Sequence, residues 1–138
     1  RNLLLIGGPE TNSEARRIEK DLLLVARDGG VTLAGMPLRG GDFAAAHWQP
    51  HPEHLQRRVL LLQASSARGD DLLFSLNPIG GGHGLPDFVV ATPLVRLQSW
   101  GGLAAAGHWT PRFTFDRSAA WLATEPGPAS ARPAVRRR

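Results

Sequence analysis

The chain has 138 residues, and its 16 Lys and Arg against 12 Asp and Glu give a net charge of +4. This length suits one compact domain and is too short for two ordinary ones. Apolar residues make up 42% of the sequence and charged residues 20%, which is typical of a soluble folded domain rather than a disordered chain. The sequence contains no cysteine, which excludes disulfides, thiolate metal ligands and a Cys nucleophile.

The sequence does not determine the cellular compartment of the protein. The longest apolar runs are far shorter than the roughly 20 residues needed to span a bilayer, and no signal peptide is visible in the chain as given. Because the chain opens on Arg1 rather than on a methionine, the sequence is compatible with a processed chain whose signal has been removed. We therefore predict a soluble protein without assigning a localisation.

The positive charge is concentrated near the C-terminus. Residues 1–131 contain equal numbers of basic and acidic side chains, so they show no basic stripe of the kind that nucleic-acid-binding domains carry. We expect residues 1–123 to form a single domain and residues 124–138, rich in Pro, Ala and Arg, to be a flexible tail. Contact with polyanions is expected only through four arginines of this tail: Arg132, Arg136, Arg137 and Arg138.

The first third of the chain predicts a strand, a short helix and a hairpin. Residues 2–6 are an apolar run that ends at glycines, and residues 15–22 place Ile18 and Leu22 on one face of a helix. Asp28–Gly29 between two apolar runs is the strongest short hairpin signal, because a type I′ turn needs two residues with positive φ.

A glycine pair extends this hairpin into a predicted meander. Gly40–Gly41 is a second permissible two-residue turn, so residues 22–48 read as three antiparallel strands. Pro37 then has to lie on an edge strand or at a bulge, because proline cannot donate a ladder hydrogen bond.

The middle of the chain is ambiguous between helix and strand. Residues 54–67 fit a helix after Pro52, but they also fit a buried strand, which we favour slightly. In that interpretation Arg68–Asp70 is a turn into a further strand over residues 71–76.

The last third predicts a second hairpin. Residues 87–100 form an extended apolar segment, and residues 103–115 run back from Gly101–Gly102. Asp116 is then expected to cap a closing helical turn.

An internal repeat is the most informative feature. Gly40–Pro50 aligns without gaps on Gly101–Pro111, with seven of eleven positions identical, including the pair His-Trp and the closing proline. We interpret the two segments as equivalent hairpins that turn at Gly-Gly. The predicted fold is therefore mostly β, with antiparallel hairpins forming a barrel or a two-layer sheet and with one or two short helices.

The repeat supplies the candidate ligand-binding residues His47, Trp48, His108 and Trp109. Both tryptophans are expected to be largely buried, because each closes a strand of small residues. The histidines of the repeat are expected to bond to the backbone beside a buried Trp more readily than to form a paired functional site.

We predict no metal site and no cofactor. His47, His51 and His54 have spacings that could share a helix face and bind zinc. However, Pro50 and Pro52 make a regular helix across these residues unfavourable.

One segment resembles an enzyme family. Gly69–Leu76, followed by Gly82-His83-Gly84, is similar to the strand and His-Gly turn of caspase-like and legumain-like cysteine peptidases. The resemblance implies an α/β fold, with His83 as the assisting residue and Ser118 where the Cys nucleophile would stand. Residues 77–81 depart from the family pattern, and a Ser would not act without its own base and oxyanion donors.

The function predicted from these features is a non-catalytic binding or assembly module. The sequence leaves open whether the protein is an enzyme and leans against it. The first alternative is a small β-barrel that binds or transforms an apolar small molecule, and the second is a peptidase fold that lacks its Cys. The expected partner is accordingly another protein or an apolar small molecule.

Overall fold

The structure is a computed structural model that describes residues 1–38, 40–76 and 86–123. Its strands are β1 (Leu3–Ile6), β2 (Leu24–Arg27), β3 (Gly30–Leu33), β4 (Met36–Leu38), β5 (Ala44–His51), β6 (His54–Ala64), β7 (Phe88–Ala91), β8 (Leu103–Gly107) and β9 (Ala120–Leu122). Its helices are α1 (Ser13–Arg17), α2 (Ala67–Leu76) and α3 (Val95–Gln98), with short 3-10 segments at Glu19–Asp21, Ser99–Gly102 and Arg117–Ala119. The fold is broadly mostly β, as predicted.

Six strands form a large open sheet in the order β1-β6-β5-β7-β8-β9. β1 and β6 are parallel, and every other neighbouring pair is antiparallel. β5 and β6 are joined by the two-residue turn Pro52–Glu53. Because β1 and β9 lie at opposite edges of this sheet, the described strands do not close into the predicted barrel.

The remaining strands form a small antiparallel sheet in the order β2-β3-β4. The predicted hairpin at Asp28–Gly29 is confirmed, since Arg27 pairs with Gly30 around it. A second turn lies at Ala34–Gly35, where both residues have positive φ, of 48° and 81°. The predicted single strand after Gly30 is therefore two strands, and Pro37 lies on the edge strand β4.

Neither glycine pair forms the predicted hairpin turn. Gly40–Gly41 lies between β4 of the small sheet and β5 of the large sheet, so the strands on either side of it are not paired. Gly101–Gly102 belongs to a 3-10 segment that leads into β8. A Cβ on Gly102 would lie 2.0 Å from the backbone nitrogen of Val95, so this glycine permits a close approach to α3.

Residues 67–76 also differ from the prediction, because they form helix α2 rather than a turn and a strand. The helix places Leu72 in the core, and a Cβ on Gly69 would lie 2.2 Å from the carbonyl oxygen of Phe43. The glycine that suggested a turn is thus required for helix packing. The strand on which the peptidase resemblance rests is therefore absent, whereas β6 confirms the favoured strand over residues 54–64.

The two repeat segments adopt different structures over most of their length. Both are strands at positions 44–46 and 105–107. Beyond them, residues 47–50 continue as β5, whereas residues 108–111 follow the end of β8. The predicted pair of equivalent hairpins is therefore not confirmed.

The C-terminal third contains less strand than predicted. The expected extended segment over residues 87–100 is a strand only at Phe88–Ala91 and then turns into α3. Asp116 caps a 3-10 turn as predicted, by accepting a hydrogen bond from the Ser118 amide at 2.8 Å. Residues 124–138 and their four arginines lie outside the described part of the chain.

Both faces of the large sheet are covered, each by different elements. Ala15 and Ile18 of the α1 region pack on one face, as does the small sheet through Leu24 and Leu33. α2 and α3 lie on the other face, which we call the helical face. No helix in the described ranges is long and apolar enough to cross a membrane.

Candidate functional site

Asp87, directly before β7, joins three of the four predicted ligand-binding residues. Its Oδ1 accepts a hydrogen bond from Trp48 Nε1 at 2.7 Å, and its Oδ2 accepts one from the Trp109 amide at 2.8 Å. His108 Nδ1 lies 3.5 Å from Oδ2. β7 lies between β5 and β8 in the sheet, so the carboxylate bridges the strands that carry the two His-Trp pairs.

Trp109 belongs to the core and offers little surface to a ligand. It is 6% exposed and stacks on Phe88 with 4.4 Å between ring centroids. Its Nε1 donates to the Trp48 carbonyl at 2.7 Å, so its polar edge is also satisfied. The expectation of a buried Trp is confirmed here, whereas Trp48 is only partly buried.

His47 lies in a buried polar network between the two sheets. Its Nε2–H donates to Gln49 Oε1 at 3.2 Å, and its Nδ1 accepts from Gln63 Nε2 at 3.4 Å. The side chain is 1% exposed, and both ring nitrogens are engaged. The imidazole is therefore buried and hydrogen-bonded on both ring nitrogens within the fold.

Burial lowers the pKa of His47 from 6.5 to about 4, because the interior disfavours the charged ring. The ring is then neutral in the folded protein between pH 6.5 and 4, while in the unfolded chain it takes up a proton. The free energy of unfolding should fall by roughly 3 kcal/mol as the pH drops through this window.

The His47→Gln variant should show a flatter dependence on pH between 6.5 and 4, measured by urea denaturation at several pH values. The carboxylates titrate alike in both proteins, so the difference in slope isolates the imidazole. His54→Gln, which removes an exposed imidazole, is the matched control. Equal slopes for wild type and His47→Gln would contradict this prediction.

A cleft of about 290 Å³ opens beside Trp48. Its walls include Leu3, Leu60 and the Trp48 ring, and the Arg58 guanidinium lies 4.5 Å from the centroid of that ring. This volume is at the small end for a ligand site, and of the four predicted residues His47 and Trp48 line the cleft whereas His108 and Trp109 do not. The four predicted residues therefore do not surround one cavity.

The elements of the helical face carry most of the exposed large hydrophobic side chains in the described part of the chain. Among the described residues, seven of the eight exposed large hydrophobic side chains lie on its elements: Leu4, Ile6, Phe74, Leu94, Leu97, Trp100 and Trp121. Leu4 and Ile6 share their face with Leu60 and Leu62 through the register of β1 with β6. Scattered exposed leucines are ordinary, whereas contiguous exposed apolar patches are typical of interaction sites.

The β5–β6 turn brings together a different set of potential metal ligands from the one considered above. His51, Glu53 and His54 hold their donor atoms within 4.8 Å of one another. His47 is not part of this set, because its ring is engaged in the buried network.

Of the two catalytic candidates, Ser118 lies in the described part of the chain. The Ser118 hydroxyl donates to Asp116 Oδ1 at 2.7 Å, within the cap of a 3-10 turn. A hydroxyl that donates to a carboxylate in this way stabilises the local turn. His83 lies outside the described residues.

Sequence reasoning missed Asp87, Gln49 and Gln63. Each glutamine is itself buried inside a strand, and a polar side chain in such a position needs a partner. That signal was available in Val59–Ala64, where Gln63 interrupts an apolar run. Asp87 carries no such signal, because its role depends on which strands lie beside β7.

Comparison with models of known protein families gives no match for this chain. The curated proteins and the solved structures likewise contain no significant match to it. What the protein binds therefore has to be inferred from its own geometry.

Proposed function

We propose that the protein is a non-catalytic assembly module that associates with a second copy of itself through the helical face. The observation that carries this proposal is the concentration of exposed apolar side chains on that face. Three of them, Phe74, Trp100 and Trp121, are aromatic, and aromatic side chains are enriched at the centres of protein interfaces.

The chemistry of the helical face favours a second copy over an unrelated partner. A two-fold interface brings the same patch of both subunits together, so that patch has to be complementary to itself. Apolar groups meet this condition, and the exposed charges of α2 on this face are of both signs, Arg68 with Asp70 and Asp71. Arg96, the one charged residue of α3, donates to the Asp71 carbonyl at 3.0 Å and so is directed back to its own chain.

The size of the face is compatible with a stable dimer. An ordinary interface buries roughly 800 Å² on each partner. The exposed aromatic side chains can together bury on the order of several hundred Å², and four aliphatic side chains add to this area.

The alternatives have less support. An apolar small molecule would need an enclosed cavity between the His-Trp pairs, but His47 and Trp109 are buried and already paired. A peptidase would need the strand that α2 replaces. The helical face is the feature that neither alternative explains.

The test is the Leu97→Asp variant, in which a charge replaces an 84% exposed leucine at the proposed interface. We expect wild type to form dimers with rising concentration in sedimentation equilibrium, and the variant to remain monomeric. Its melting temperature as a monomer should be close to that of the wild-type monomer, because exposed substitutions cost within about 0.5 kcal/mol.

Leu55→Asp is the matched control. Leu55 is 76% exposed but lies on the β5–β6 hairpin, at the end of β6 remote from the start of α2. This variant should dimerise like wild type. A wild-type protein that stays monomeric, or a Leu97→Asp variant that still dimerises, would overturn the proposal.

A further inference from the structure

The hairpin formed by β5 and β6 presents two imidazoles and a carboxylate at its tip. His51 and His54 pair across the two-residue turn, and their ring centroids lie 4.9 Å apart. Glu53 lies between them in the turn, and donor atoms of all three residues fall within 4.8 Å of one another. We propose that this tip binds one Zn²⁺ ion through His51, Glu53 and His54.

His51, the buried residue of the three, has its ring proton on Nε2, and zinc would bind at the other nitrogen, Nδ1. His51 Nδ1 accepts a hydrogen bond from the Glu53 amide at 3.1 Å, so this nitrogen carries a lone pair. The neutral ring therefore has its hydrogen on Nε2, which lies 3.8 Å from Glu14 Oε1. Histidines that bind metals commonly direct their second nitrogen at a carboxylate in this way.

Zinc would take the place of the Glu53 amide at Nδ1 of His51. Zinc ligands lie about 2.0–2.2 Å from the ion, so tetrahedral donors are roughly 3.3 Å apart. The present separations therefore have to shorten. His54 is exposed, and Glu53 has to turn its second carboxylate oxygen toward the ion while Oε1 stays with Arg17. Three protein ligands leave a fourth position for water.

The charges around the tip favour a cation. Arg17 forms ion pairs with both Glu14 and Glu53. These three side chains together carry a net charge of −1. The contact of Arg17 with Glu53 uses Oε1, which leaves the other carboxylate oxygen for the ion. Two imidazoles with one carboxylate suit zinc, whereas calcium and magnesium prefer sets of oxygen ligands.

The experiment is isothermal titration of the full 138-residue chain, stripped of metal by a chelator, with zinc chloride at neutral pH. We expect one zinc ion per chain and a rise in melting temperature when zinc is added. His54→Gln should weaken the affinity by at least about tenfold and should make that rise in melting temperature smaller. His54 is exposed, so this variant is expected to fold.

His108→Gln is the matched control, because it removes an exposed imidazole from a different part of the sheet. It should bind zinc as wild type does. The site is refuted if wild type takes up no zinc, if His54→Gln binds it equally well, or if calcium chloride binds with the same affinity.

Discussion

Replacement of Trp109 by Ala should lower the free energy of unfolding by about 3–5 kcal/mol, the usual range for a large aromatic residue in a core. The side chain stacks on Phe88 and meets the His47 ring edge-on, with 6.3 Å between centroids. The substitution also leaves the Trp48 carbonyl without the donor Nε1. Urea denaturation followed by far-UV circular dichroism measures this loss without relying on tryptophan fluorescence.

Trp121→Ala is the matched control for this experiment. Trp121 lies on the edge strand β9 and is 49% exposed, so in the monomer, at low protein concentration, its removal should cost no more than about 1 kcal/mol. Trp48 is partly buried, and its substitution should give an intermediate loss. If Trp109→Ala unfolded at the wild-type urea concentration, the ring would not be a core element.

The sequence predicts elements whose signals are local. The apolar run of β1 and the Asp28–Gly29 hairpin both follow from neighbouring residues alone. The turn at Ala34–Gly35 was missed because alanine rarely adopts positive φ, and its φ of 48° results from pairing β3 with β4. The tertiary pairing here overrides the local preference.

Helix α2 illustrates a different failure. Gly69 weakens a helix when it is considered alone, and the segment around it therefore reads as a turn. In the folded protein the Phe43 carbonyl approaches so closely that any side chain at this position would collide with it. Phe43, the residue that requires a glycine at position 69, lies 26 positions earlier in the chain. No local sequence pattern could therefore reveal this requirement.

The candidate site shows how one sequence motif can acquire two environments. His47 lies within β5 and faces the small sheet, whereas His108 follows the end of β8 and its side chain is 67% exposed. The identical dipeptides therefore suggested two structurally equivalent hairpins, which the fold does not contain. What links the two segments is Asp87, and its position between them depends on strand order rather than on sequence spacing.

Gln63→Leu should also lower the free energy of unfolding by several kcal/mol. The reason is that the Gln63 side chain forms hydrogen bonds with the β2 backbone, as a neighbouring strand would. Its Oε1 accepts from the Ala26 amide and its Nε2 donates to the Leu24 carbonyl, both at 3.0 Å. Gln63 itself is fully buried. Leucine has a similar size but leaves both backbone groups unpaired, and each unsatisfied buried group costs about 1–3 kcal/mol.

Gln49→Leu provides the comparison for Gln63→Leu. Gln49 forms the same kind of pair: its Oε1 accepts from the Leu23 amide and its Nε2 donates to the Asp21 carbonyl, at 2.9 Å each. These two hydrogen bonds are only partly buried. Water can replace the lost bonds there, so we expect a smaller loss of stability than for Gln63→Leu. Hydrogen exchange supplies a local measurement, because the Ala26 amide should exchange faster in Gln63→Leu and not in Gln49→Leu. An Ala26 amide that stays protected in Gln63→Leu, with unchanged urea denaturation, would show that Gln63 does not hold the small sheet against the large one.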